Sequence, residues 1–195
     1  DSLAALTLFL STIAAWWLSR AAKAPARIPL RFAAVLFAAL DVSWGLGLLG
    51  IPELMPVVAM MALSLGGAAL ALCLFAALGR PLPPLTAVLG LMLALFAALA
   101  APLAGSPLYA LACVFIAGLL VIGMSLSKFV AMPGRALLAM GAMLALVIGG
   151  FAMLEGAWVP TVLLFSAGLI GAARASEPGV EARQQREMLA AINAR

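Results

Sequence analysis

The sequence predicts an all-α, polytopic membrane protein with seven transmembrane helices, and three observations carry that expectation. Hydrophobic residues make up 67% of the 195 and charged residues 9%, a balance that would leave a soluble domain with large apolar patches in water. The apolar residues fall in runs of about 17–25, long enough for helices to cross a hydrocarbon core of about 30 Å, whereas barrel strands would be shorter and alternating. Basic residues occur singly and only between alternate runs. That is the charge pattern of a membrane topology, not of a nucleic-acid surface, despite a net charge of +4.

In chain order the spans are expected at 2–19, 32–50, 56–78, 85–104, 107–127, 136–154 and 158–174. The chain opens at Asp1 without a methionine, and its first run is followed by Arg20 and Lys23 instead of a small-residue cleavage site, so it reads as a retained helix and not a signal peptide. The second, "FAAVLFAALDVSWGLGLLG", is apolar except for Asp41 near its centre. Pro56, Pro107 and Pro160 sit near the first turn of the span that follows each, where a missing N–H does no harm. Residues 1–174 therefore form one transmembrane domain. Beyond it, residues 175–195 make a polar tail in which Pro178 and Gly179 break the last span. From about Val180 a short interfacial or solvated cytoplasmic helix is expected, with Val180, Met188, Leu189 and Ile192 on a patchy apolar side.

Orientation follows from the cations. Arg20, Lys23, Arg27 and Arg31 follow the first span, Arg80 the third, Lys128 and Arg135 the fifth, and Arg174, Arg183, Arg186 and Arg195 the seventh. The opposite loops, "IPELMP", "GSP" and "EGAW", hold none and carry Glu53 and Glu155. The positive-inside rule places the N-terminus outside and the C-terminus in the cytoplasm, most simply across a bacterial inner membrane.

Shifting the chain by 104 residues reveals an internal repeat without gaps. Pro29 and Arg31 meet Pro133 and Arg135, Gly45 meets Gly149, and Pro56, Gly67, Ala68 and Ala69 meet Pro160, Gly171, Ala172 and Ala173. In all, 11 of the 43 positions from Arg27 to Ala69 are identical. A composition this rich in Ala and Leu gives about four by chance. The repeats cover about 1–78 and 105–174, with 85–104 as a linker helix that lets the second triplet enter the membrane in the same direction as the first. Parallel repeats are one plan of secondary transporters. This three-plus-one-plus-three arrangement, N-terminus out and C-terminus in, resembles that of the SWEET and PQ-loop carriers and implies a transport fold. Their proline-glutamine pair is absent, since Leu30 follows Pro29 and Gly134 follows Pro133, and no site residue is carried over from them. A retinal pigment is excluded on chemistry, because the seventh span holds no lysine for a Schiff base.

Asp41 is the sharpest functional candidate. It lies about 15 Å of helix rise from either surface, too deep for its short side chain to snorkel. Ala34, Ala38, Gly45 and Leu48 share its face at helical spacing, and such small residues admit a neighbouring helix. Ser43 and Trp44 are supporting candidates, Trp44 at i+3 being placed to cover the carboxylate. An ionised aspartate at the bilayer centre costs at least about 2.5–3.5 kcal/mol, and burial without a counter-charge favours the neutral acid. Two readings stay open. One is a residue that binds or relays a proton or cation; the other is a neutral acid that hydrogen-bonds a neighbouring helix. Its repeat counterpart is Ala145, so the acid acts in one half only.

The remaining polar residues point to structure. Thr7, Ser11, Thr12, Ser64, Ser125, Thr161 and Ser166 are singly spaced hydroxyls expected to bond their own helix or a neighbour. Trp16, Trp17 and Trp158 read as interface anchors, the methionines as filler, and Cys73 and Cys113 as small buried hydrophobes without redox spacing. The chain has no histidine, which removes the commonest zinc ligand, haem ligand and general base. With Asp41 alone at its depth, enzyme chemistry has no second titratable group, and no metal or cofactor is expected. The expected function is a transporter or channel-like protein for a small solute or ion, proton- or cation-coupled through Asp41. The alternative is a non-catalytic accessory or sensory subunit. Expected partners are the lipid bilayer, a small solute, and a membrane protein or a second copy, but no nucleic acid.

Overall fold

A computed structural model describes residues 53–79 and 83–176 without interruption, together with residues 6, 9, 10, 12–14, 16, 17, 20, 31, 34–36, 38–43, 45, 50, 189 and 191–193. All regular structure among these residues is helical. Five helices are defined in full: α1 (Leu54–Ala77), α2 (Pro84–Leu103), α3 (Leu108–Lys128), α4 (Pro133–Leu154) and α5 (Trp158–Ala175). The described residues between 6 and 20, between 34 and 45 and between 189 and 193 are also helical, and they fall in or beside the segments expected as the first and second spans and the tail. Trp44, Arg80 and most of the tail lie outside the described residues.

The local sequence accounts for where each helix starts and stops. Pro133 occupies the first turn of α4, where its missing N–H is one that has no partner within the helix anyway. For that reason α4 starts three residues before the expected 136. At its other end, the Gly156 N–H bonds the Met153 carbonyl at 3.1 Å while Gly156 itself adopts φ 73°, a left-handed conformation that closes a helix cheaply only without a Cβ. Three stretches are long and apolar enough to cross a membrane: Pro56–Ala77, Leu108–Lys128 and Pro133–Leu154. The apolar stretches Leu85–Ala101 and Val159–Ala175 are shorter. Apolar side chains cover the outside of the bundle, among them Leu93, Phe96, Leu103 and Val130. This is the inverted surface of a protein whose solvent is lipid.

Packing centres on α1. It touches α2, α3, α4 and α5, whereas α2 meets only α1 and α3 among the described helices, and α3, α4 and α5 follow one another in sequence. From 57 to 75 no α1 residue is exposed. Small residues make this possible. A Cβ on Gly67 would stand 2.9 Å from the Val114 side chain of α3, and one on Gly66 would stand 2.7 Å from Leu36 of the preceding helical segment. Two neighbouring glycines thus admit partners on different sides. Leu63, Leu70 and Leu74 of α1 then close a common core with Val114, Val121, Met143, Leu146 and Phe165.

The α4–α5 pair is drawn together in the same way. A Cβ on Gly168 would meet the Ala142 carbonyl oxygen at 2.8 Å, so the two backbones pack directly on each other. Across the pair, the Thr161 hydroxyl lies 3.3 Å from the Gly149 carbonyl while also bonding Ala157 at 2.8 Å in its own helix. Because a backbone carbonyl cannot rotate away as a side chain can, Gly168→Ala is expected to destabilise the protein by about 1–3 kcal/mol. Gly123→Ala, whose Cβ would meet nothing within 4 Å, stays within about 1 kcal/mol of the parent. Thermal unfolding of the purified variants in one detergent measures both.

Candidate functional site

Asp41 sits on the flank of its helical segment. Leu36, Leu40 and Ser43 recur at four- and three-residue spacing and are buried, which defines the stripe turned into the core. Asp41 follows Leu40 by one residue and is therefore rotated about 100° from that stripe. It is half-buried, and its carboxyl accepts a hydrogen bond from the Thr12 hydroxyl of the first helical segment. Ala34 on its face is buried and Ala38 and Gly45 are half-buried, whereas Val35 and Val42 on other faces are exposed. The small-residue side of Asp41 is thus turned towards protein.

The supporting candidates separate. Ser43 is fully buried and donates to the Leu40 carbonyl at 2.8 Å, so its proton is committed to its own helix. It also points about 200° around the helix from Asp41. Trp44 lies outside the described residues. Thr12, read from the sequence only as one of several structural hydroxyls, is the residue that the structure brings to Asp41. Nothing in its local sequence sets it apart, because the pairing depends on the relative placement of two helices. Arg20 is held over the Trp16 ring at 5.7 Å, two turns further along the same segment as Thr12.

A second feature lies at the end of the bundle that holds Glu53, Gly105 and Glu155. A cavity of about 510 Å³ opens there between the start of α1, the α2–α3 turn and the end of α4. Glu53 lines it from the N-cap of α1, Val57 and Met60 from α1 itself, Ala101 from α2, Pro107 from the α2–α3 turn and Met153 from α4. Met60 and Ala101, which line it, form a small apolar cluster with Ala110 apart from the main core. Glu53 is exposed at the N-cap of α1 but makes no capping bond with its side chain. Glu155, at the C-cap of α4, is also exposed and is not a lining residue. The sequence places both acids in outer loops; only tertiary structure gives one of them a cavity.

One helical turn beyond Met60, the Ser64 hydroxyl is fully buried without a hydrogen-bond partner among the described residues. The other buried hydroxyls among the described residues, Ser43, Ser125, Thr161 and Ser176, each donate to a backbone carbonyl three or four residues earlier. Cys73 and Cys113 are free, half-buried thiols. Among the described residues no three of Cys, Asp and Glu gather closely enough to hold a metal ion. Compared with protein-family models, curated proteins and solved structures, the chain matches none.

The Thr12–Asp41 bond predicts measurable coupling. In a double-mutant cycle with Thr12→Val and Asp41→Asn, unfolding in bicelles should give an interaction energy of about 0.6–1.7 kcal/mol, the range of hydrogen bonds between membrane helices. Simple additivity would show that the two side chains do not support each other.

Proposed function

We propose that this multi-pass membrane protein is a transporter or channel-like protein for a small solute or ion. The observation that carries this reading is the cavity of about 510 Å³. It lies where the third expected span meets the sixth, so one helix from each repeat contributes to its wall. Its volume falls within the range of about 300–1,000 Å³ usual for small-molecule sites. From Glu53 to Met60 it extends about 10 Å along α1, a third of a hydrocarbon core. Ser64 supplies a polar group one turn deeper on the same stripe. In this reading the seven spans form two parallel triplets joined by α2, and Asp41 binds or relays a proton or cation.

A second reading is favoured by the Thr12–Asp41 bond. An acid that takes a hydroxyl from the neighbouring helix is placed as a packing group would be. It suits an accessory or sensory subunit that docks through its exposed apolar faces to another membrane protein or to a second copy.

Two measurements test these proposals. In proteoliposomes, Asp41→Asn should abolish solute-driven proton movement; movement at the parental rate would remove Asp41 from the coupling step. Topology is tested separately in a chain carrying Cys73→Ala and Cys113→Ala. A membrane-impermeant maleimide added to intact bacterial cells should label Ser106→Cys in the α2–α3 turn, and should label Val130→Cys in the α3–α4 turn only after permeabilisation. The reverse pattern would invert the orientation, and labelling of both from outside would show that α3 does not span the membrane.

A further inference from the structure

The chemistry of the cavity restricts what it can hold. No basic residue occurs in 32–79, 81–127 or 136–173, the stretches that supply its walls and loops. Helix ends do not bias it either: α1 and α3 present N-termini there and α2 and α4 present C-termini. Each end carries about half a unit charge, positive at N-termini and negative at C-termini, so the four largely cancel. What remains is the Glu53 carboxylate, which is not spent on capping its helix. Below it the side chains of the described lining residues are apolar, with the flexible Met60 and Met153 among them.

These features discriminate among ligand classes. An inorganic cation needs a shell of several oxygens, and the lining supplies one carboxylate. A sugar would bury hydroxyls against side chains that offer them no partners, at about 1–3 kcal/mol for each unpaired group. An anion would face Glu53 without a counter-charge. An ammonium on an apolar body meets none of these costs: its charge stays at the exposed carboxylate and its body displaces water from the thioether and aliphatic walls.

We propose that this cavity binds an amphiphilic organic cation, with Glu53 holding the ammonium at the mouth and Val57, Met60 and Met153 enclosing the apolar body. The site names a substrate class for the transport reading and rests on that reading only for the step from binding to movement.

The test uses the full chain in phosphatidylcholine nanodiscs, with benzyltrimethylammonium as probe and isothermal titration calorimetry as readout. Saturable binding is expected, with the uncharged isostere neopentylbenzene failing to compete. Glu53→Gln should weaken the probe about two- to fivefold, the worth of an ion pair at an exposed carboxylate. Val57→Trp, which fills the cavity, should weaken it similarly, whereas Glu155→Gln should leave affinity unchanged. Parental affinity in Glu53→Gln, or equal binding of the neutral isostere, would overturn the site. Each variant is accepted only with a parental melting temperature, and Val57→Trp tests the same cavity should Glu53→Gln unfold. The two proposals fail separately: Glu53-dependent binding without probe uptake by proteoliposomes removes transport and keeps the site. Asp41-dependent proton movement with Glu53-independent binding removes the site and keeps transport.

Discussion

The close approach of neighbouring helices to α1 is the constraint on which the rest of the structure depends. In a bilayer, apolar side chains gain little by leaving lipid for protein, so helices associate through dense packing and occasional hydrogen bonds. Residues 64–71, "SLGGAALA", provide the narrow waist that such packing requires. Gly66 accepts Leu36 and Gly67 accepts Val114, and without a Cβ at either position the partners approach to distances that an alanine would forbid. Once α1 is surrounded in this way, α2 to α5 are arranged by their contacts with it and with one another.

The polar features lie where this packing is incomplete. At the end bearing Glu53, the residues of α1 become larger and the α2–α3 turn with Pro107 stands between helices, so side chains no longer interdigitate and a cavity opens above Met60. Asp41 occupies a different lapse, on the flank of a segment whose core stripe is taken by Leu36, Leu40 and Ser43. Thr12 meets the acid there, and a buried carboxyl is costly unless its hydrogen-bonding capacity is used. Ser64 differs from both, being fully buried without such a partner. Glu53 thus lies at the cavity, Ser64 one turn beyond Met60, and Asp41 on the flank of the core stripe of its own segment.

Helices were legible in the sequence because their signals are local. Continuous apolar runs, with proline in the first turn of several, placed α1, α2, α3 and α5 within two residues of their ends, and Pro133 moved α4 by three. Asp41 stands out in the sequence for the same reason, since a lone acid in an apolar run needs no structure to be noticed. Its partner was not, because Thr12 resembles every other hydroxyl in the spans until two helices are set side by side. Glu53 reads as an ordinary loop acid for a related reason: the far wall of the cavity beside it is made by α2, the α2–α3 turn and α4, which are distant in sequence from "IPELMP". Periodicity was also uninformative for α1. A helix packed on all sides has no polar face, so the position of α1 at the centre left no pattern in its residues.

That central position is tested most directly by oxygen accessibility of nitroxide labels placed singly along α1 and α2 in a bilayer. From 57 to 75 every α1 label should show uniformly low accessibility, while labels on α2 should oscillate with the helical period, low near Ala94, Ala98 and Ala101 and high near Leu93 and Phe96. An oscillation along α1 of the same amplitude as along α2 would place α1 at the lipid surface and contradict the account.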